Sequence, residues 1–83
     1  MSYYTQIKEP ANVLADFSHN QVKPLVFKWG NQDYQVEKIN LVHMSHEGRE
    51  KIYYFSVSDA ANYFKLKFNT GSLEWNLEEM YSN

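Results

Sequence analysis

The amino-acid sequence predicts an all-β fold, a small antiparallel meander of five to six strands that closes into a partly open barrel. Three observations lead to this prediction. Aromatic residues make up 17% of the 83 residues, a share that favours β structure. Apolar and polar residues alternate over short runs that are separated by turn-forming residues. When neighbouring runs are folded about those turns, apolar side chains meet on the same face of the sheet.

Composition limits the classes of function. The formal net charge of −2 is close to balanced, so it predicts no strong attraction to nucleic acid or to an anionic membrane. Cysteine is absent, which excludes disulfides and thiolate metal sites. No stretch approaches the ~20 consecutive apolar residues that a transmembrane helix needs. We therefore expect a cytoplasmic protein with no membrane partner.

The first part of the chain lacks a sustained hydrophobic period. We interpret residues 1–11 as a loosely ordered N-terminal arm and residues 12–83 as a single β-barrel-like domain. Within that domain, Val13, Ala15 and Phe17 alternate with other residues, which predicts a short first strand.

A hairpin is predicted next. The run that contains Phe27 and Trp29 is followed by residues 30–33, which are rich in types that accept a positive φ. Folding the chain about this turn places Trp29 opposite Tyr34 and Phe27 opposite Val36. All four side chains then share one face, as a real pairing requires.

The following strand changes its hydrophobic phase. Val36 belongs to one phase and Ile39 to the other. A β-bulge near residues 37–38 would reconcile them, and so would a kinked strand that passes from one sheet to another. Residues 44–50 are mostly polar and contain a glycine, so we expect a loop there.

The third predicted turn lies at residues 58–61. It pairs Phe55 with Phe64 on the core side and Tyr54 with Lys65 on the outside. A slip of one residue would move Lys65 into the core, so the side-chain face of each position is strongly specified.

The last tight turn is predicted at residues 69–72. It directs Trp75 into the core with the other aromatic residues and sets Lys67 opposite Glu74 on the outer face, a favourable cross-strand pair. Residues 78–81 either extend the final strand or form one helical turn.

Two segments carry a resemblance to a known family. Residues 24–36 read PLVFKWGNQDYQV and residues 75–77 read WNL. They resemble the pattern P-x-x-F-x-W-x-G-x-x-Y-x-V … W-x-L of a family of short, uncharacterised bacterial all-β proteins. The family's turn glycine falls at Asn31 here, and His43 stands where relatives often carry tryptophan. The resemblance implies an all-β fold with no established activity; some members are loosely associated with error-prone DNA polymerases.

No catalytic or cofactor-binding arrangement stands out. Glu78 and Glu79 are adjacent, so on a strand they point to opposite faces and do not form an acid/base pair. His43, His46 and Glu47 would bind zinc only if their loop curled around the ion. We therefore predict that the chain is not an enzyme and holds no metal or cofactor.

Protein binding is the function that the sequence contradicts least. Small β domains have exposed strand edges that accept a partner strand, and exposed apolar side chains add contact area. We expect a non-catalytic protein-interaction module whose partner is a protein of unknown identity. Its predicted contact residues are Tyr3, Tyr4, Ile7, Val26, Ile52 and Met80.

Single-stranded nucleic-acid binding is the alternative. Bases stack on aromatic rings and phosphates meet ammonium groups in such sites. Aromatic and basic residues interleave on the outer face of the predicted third and fourth strands, although Glu74 and Glu78 lie opposite them and reduce the local charge. The residues of this predicted face are Tyr54, Tyr63, Lys65 and Lys67, with Lys51 and Arg49 at the adjoining loop.

Overall fold

A computed structural model describes residues 3–82 and confirms the all-β, antiparallel class. Eight strands and one short 3₁₀ turn at Ser18–Asn20 make up the regular structure of this range. Within the same range, no helix is long and apolar enough to cross a lipid bilayer. The strands are β1 Tyr3–Pro10, β2 Asn12–Asp16, β3 Lys23–Trp29, β4 Gln32–Gln35, β5 Lys38–Glu47, β6 Glu50–Ser58, β7 Asn62–Asn69 and β8 Trp75–Ser82.

The strands divide between two sheets. One has five strands in the order β1-β8-β7-β6-β5, and the other has three in the order β2-β3-β4. Strands β1 and β5 are the edges of the larger sheet. No closed barrel forms in the part of the chain that the structure describes, so the prediction of a partly open barrel is not confirmed.

The prediction of a loosely ordered arm is wrong for residues 3–10. They form β1, which pairs with β8 along its length and places Ile7 against the core. The pairing is interrupted by a register shift between Gln6 and Glu9, where Lys8 has a φ of 54°. This irregularity removes the alternation from which a strand is recognised. Residues 1–2 of the predicted arm and residue 83 of the predicted domain lie outside the described residues.

Aromatic side chains join the two sheets. The ring of Phe27 on β3 stacks on Tyr34 at 5.1 Å and meets Phe64 on β7 edge-to-face at 4.9 Å. Burying such rings from opposite sheets against one another is the main source of stability in a domain of this size. Phe55, Phe64 and Trp75 are buried in the same cluster, which confirms the predicted aromatic core.

The predicted register is wrong by two residues in two of the hairpins. Phe27 lies opposite Tyr34 because only two residues separate β3 from β4. Phe55 lies opposite Leu66 because the pair that closes the β6–β7 turn is Ser58 with Tyr63, one residue further along each strand than expected. A shift of two keeps every side chain on its predicted face. The predicted faces of these residues are therefore correct, whereas the individual pairs are not.

The β7–β8 hairpin shows the same error. Lys67 lies opposite Asn76, so the predicted pair with Glu74 does not form. The chain end at residues 78–81 continues β8, as one of the two predicted alternatives requires.

The phase change after Val36 marks the passage from one sheet to the other. β4 ends at Gln35 in the three-stranded sheet, and β5 begins at Lys38 in the five-stranded sheet. The predicted loop at residues 44–50 is wrong, because β5 continues to Glu47. A two-residue turn follows, in which Gly48 adopts a φ of 63° that few other residues tolerate.

Candidate functional site

β5 is an open edge of the five-stranded sheet. One side pairs with β6, and no other strand within residues 3–82 pairs with the opposite side. Its register has one irregularity, between Ile39 and Leu41, and is regular from Leu41 to Glu47. Exposed fractions are 62% for Leu41, 50% for Val42 and 46% for Met44. This segment therefore presents unpaired backbone groups together with apolar side chains.

An apolar groove lies beside this edge. We call the face of the larger sheet that carries Phe55 the inner face, and the face that carries Tyr54 the outer face. The groove has a volume of about 450 Å³ on the inner face. We call it the β5 groove. Its apolar wall consists of Val22 from the segment before β3, Ile39 and Val42 from β5, and Tyr53 and Phe55 from β6.

Two lysines adjoin the β5 groove. Lys23 lines it directly, and the Nζ atom of Lys51 lies 5.3 Å from the ring centroid of Tyr53 in its wall. Neither lysine has a carboxylate oxygen within 4.0 Å among the described residues. Asp16 lies opposite Lys23 in the pairing of β2 with β3. The pKa of Asp16 is lowered first by hydrogen bonds from Ser18 and to a smaller extent by Lys23.

The structure places Tyr54, Tyr63, Lys65 and Lys67 together on the outer face of β6 and β7. Both lysines are paired with acids there. The Nζ atom of Lys67 lies 3.0 Å from Oε1 of Glu47, and that of Lys65 lies 3.7 Å from Oε2 of Glu79. The remaining basic residues of the prediction do not join this face: Lys51 follows the inner-face alternation, and Arg49 lies in the β5–β6 turn.

Glu47 organises the centre of the outer face. It accepts hydrogen bonds from the Tyr54 hydroxyl and the Lys67 ammonium group. These bonds lower the pKa of Glu47 and, as the first cause in each case, raise the pKa values of Tyr54 and Lys67. The sequence did not reveal this role of Glu47, because its polar neighbours at residues 44–50 are typical of a loop. Gly48 between two alternating runs was the signal of a tight hairpin that would have revealed it.

A tyrosine-lined cavity lies further along the outer face. Its volume is about 310 Å³, and Tyr4, Tyr63 and Tyr81 contribute to its wall together with the Lys65–Glu79 ion pair. Desolvation and the Glu79 carboxylate raise the pKa of Tyr4. The charged groups in the cavity wall, Lys65 and Glu79, are therefore already paired with each other.

The predicted protein-contact residues do not form one surface. Tyr3 and Tyr4 are each 58% exposed, whereas Ile7, Val26 and Met80 are partly buried. Ile52 is 1% exposed, so its prediction as a contact residue is wrong. It lies between Ser45 and Asn69 on the two neighbouring strands, which cover it from both sides. The exposed apolar residues of β5 were not among the predicted contacts.

His43, His46 and Glu47 are the residues that the sequence analysis considered as zinc ligands and rejected. In β5, His43 faces outward beside Tyr54, with ring centroids 6.3 Å apart, and His46 follows the inner-face alternation. Across residues 3–82, no group of three or more histidine, aspartate or glutamate side chains is placed to hold a metal ion.

No protein-family model, no curated protein and no solved structure matches this chain. The resemblance to the bacterial all-β family therefore stays a prediction.

Proposed function

We propose that this chain is a non-catalytic β domain that binds another protein by adding a strand of that protein to the edge of β5. The observation that carries the proposal is the regular stretch from Leu41 to Glu47, which combines an open edge with three exposed apolar side chains. In strand addition, main-chain hydrogen bonds supply affinity, and pockets for alternate side chains supply specificity. The β5 groove provides such pockets on the inner face.

The shape of β5 supports this proposal. Natural edge strands are usually short, interrupted by bulges, or rich in charge, because an open edge promotes unwanted pairing. β5 is 10 residues long, the longest strand among those described, and its charged residues Lys38 and Glu47 lie only at its two ends. An apolar edge of this kind is retained more readily when a partner covers it.

The charge distribution favours protein over nucleic acid as the partner. A surface that binds phosphates needs ammonium groups with no nearby anions. On the outer face, Lys67 is already paired with Glu47 and Lys65 with Glu79. The Tyr54 hydroxyl is also engaged by Glu47. Nucleic-acid binding through this face is therefore the weaker alternative.

Amino-acid composition and the family resemblance suggest the cellular location and the first partners to examine. A chain without cysteine has no need of an oxidising compartment, so we propose a cytoplasmic location. The family resemblance adds a bacterial origin to the proposal. The loose association of that family with error-prone DNA polymerases makes proteins of DNA replication and repair the first to examine as partners.

Site-specific crosslinking tests the proposal. A photo-crosslinking amino acid at Val42 is expected to capture a protein partner in cells that express the full chain. The same amino acid at Leu14, which is 64% exposed on β2, serves as the control and is expected to capture none. Val42→Lys should abolish binding of the partner thus identified, since a charge there disrupts the apolar edge. Equal capture from both positions would contradict the role of β5.

Titration with a short oligonucleotide tests the alternative. Amide chemical-shift changes confined to residues 52–56 and 63–67, and weakened by added salt, would support binding to the outer face. If the partner binds at the β5 edge instead, the oligonucleotide should cause no such changes at low salt.

A further inference from the structure

We infer that the β5 groove selects an extended segment in which apolar residues are flanked by acidic residues. This inference rests on the proposed strand addition and names the chemistry of the partner. It depends on the difference between the lysines of the two faces. Lys65 and Lys67 are paired with carboxylates, whereas Lys23 and Lys51 beside the groove have no carboxylate within 4.0 Å among the described residues.

The groove lies along the open edge of β5, so an added strand would pass beside it. Such a strand would lie about 4.8 Å from β5, with alternate side chains facing the same way as Val42 and Met44. Lys51 lies opposite His46 toward one end of this stretch. Lys23 lines the groove together with Ile39 and Val42 toward the other end.

This arrangement suggests a sequence pattern for the partner. Positions opposite Val42 and His46 are four residues apart, roughly 13 Å in a strand, and face the same side. Acidic residues at these two positions would approach Lys23 and Lys51, and an apolar residue between them would lie opposite the exposed side chain of Met44. The expected segment reads acidic–x–apolar–x–acidic.

A second copy of the chain does not supply this pattern. The inner-face residues of β5 are Ile39, Val42, Met44 and His46, none of which is acidic. Pairing of two β5 edges would leave both sets of groove lysines without carboxylates. Self-association is therefore not the arrangement that the charges favour.

A nucleic acid also fits poorly here. Phosphates would complement the two lysines, but the two aromatic rings of the groove wall offer little open surface for stacking, because Phe55 is 1% exposed and the Lys51 ammonium group already lies over the Tyr53 ring. The open backbone of β5 instead matches the hydrogen-bonding groups of a polypeptide.

Selection from a displayed library of random ten-residue peptides on the full-length chain tests the inference. We expect enrichment of acidic residues on both sides of an apolar position, and loss of binding to Val42→Lys. For an enriched synthetic peptide, Lys23→Gln and Lys51→Gln should each raise the Kd about two- to fivefold, the range for exposed ion pairs. Lys65→Gln and Lys67→Gln on the outer face are the matched controls and should leave the Kd unchanged.

Salt dependence provides a second measurement that needs no variant. The Kd of the acidic peptide for the unmodified chain should rise with salt, and an analogue with glutamine in place of each acidic residue should show little dependence. Equal affinity and equal salt dependence of the two peptides would overturn the inference.

The outcomes separate this inference from the proposed function. Peptides that are apolar without acidic enrichment, and that still require Val42, would overturn the charge pattern and leave strand addition standing. If no selected peptide depends on Val42, both ideas fail. Dimerisation that Val42→Lys abolishes would make a second copy the occupant, and displacement of the peptide by oligothymidine would make it a nucleic acid; either result overturns the inference.

Discussion

The two edges of the larger sheet differ in how they meet solvent. β1 has a register shift between Gln6 and Glu9, a left-handed residue at Lys8 and a proline at its end. β5 has its only register irregularity near its beginning and then runs regularly to Glu47. Both strands are edges of the same sheet, but only β1 has such an interruption in its middle, where it prevents edge-to-edge pairing most effectively.

The exposed side chains differ in the same sense. Tyr3 and Tyr4 are exposed at the beginning of β1, but from Thr5 to Pro10 its exposed residues are polar, charged or proline. The middle of β5 exposes Leu41, Val42 and Met44. Edge protection is therefore applied strand by strand, and a binding function should be sought at the unprotected edge.

The largest expected effect is on the stability of the whole fold, because both edge strands belong to a sheet that packs on one core. Phe27→Ala should lower the free energy of unfolding by about 3–5 kcal/mol, since it empties the contact with Tyr34 and Phe64 between the sheets. Phe17→Ala is the control, because Phe17 is 57% exposed and touches Phe68 only edge-on. It should cost about 1 kcal/mol.

Urea denaturation monitored by tryptophan fluorescence measures both values. Similar losses for the two variants would show that the sheets are not held together through Phe27, and the comparison of their edges would lose its structural basis.

A smaller effect examines the irregularity of β1 directly. Lys8 has a φ of 54°, which costs a non-glycine residue about 1–2 kcal/mol, so Lys8→Gly should raise the free energy of unfolding by up to about 1 kcal/mol. Gln6→Gly, two residues earlier in the strand, should lower it by about 0.5–1 kcal/mol. Opposite signs in thermal or urea unfolding are the expected result. A loss in both variants would mean that β1 is an ordinary extended edge like β5.

The smallest effect concerns the contact that ties the end of β5 to the outer face. Glu47→Gln removes the carboxylate that raises the pKa of Tyr54, so the pKa of that tyrosine should fall. Ultraviolet titration of the tyrosines at alkaline pH, with Tyr54→Phe to assign the signal, detects the shift. Glu74→Gln on the exposed β7–β8 turn is the control and should leave the titration of Tyr54 unchanged.

The contact of Glu47 with Tyr54 and Lys67 should make the free energy of unfolding depend on pH, and the direction follows from the pKa shifts. Folding lowers the pKa of Glu47 below its ordinary value of 4.5, so its contribution is present above that pH and is lost as the pH falls through the folded-state value. Folding raises the pKa values of Tyr54 and Lys67, so their contributions are lost as the pH rises through the raised values. The difference in unfolding free energy between the natural chain and Glu47→Gln should therefore vanish in acid.

Faces were easier to predict from the sequence than pairings. The alternation of Phe55 with Tyr54, and of Leu66 with Lys67, places each side chain on the correct side of the sheet whichever register is chosen. The register itself depends on how many residues a turn absorbs, and a change of two residues leaves the hydrophobic pattern equally satisfied. This is why the predicted core is confirmed while the predicted cross-strand pairs are wrong.

The candidate site was less predictable, because it depends on where strands end. A polar segment at residues 44–50 looks like a loop, yet it continues β5 and brings Glu47 to Lys67. Ile52 looks exposed by alternation but is covered by its neighbouring strands. Edge position, which makes Val42 a candidate contact, is a property of the whole sheet and has no local signal.

A period of two between apolar positions was enough to predict the all-β class and the faces of the aromatic core residues. The folded molecule was needed to reveal the division into two sheets, the pairing of β1 with β8 and the exposure of β5. These depend on contacts between residues far apart in the chain, and several arrangements would bury the same apolar positions. The proposed binding edge arises from that second group of properties.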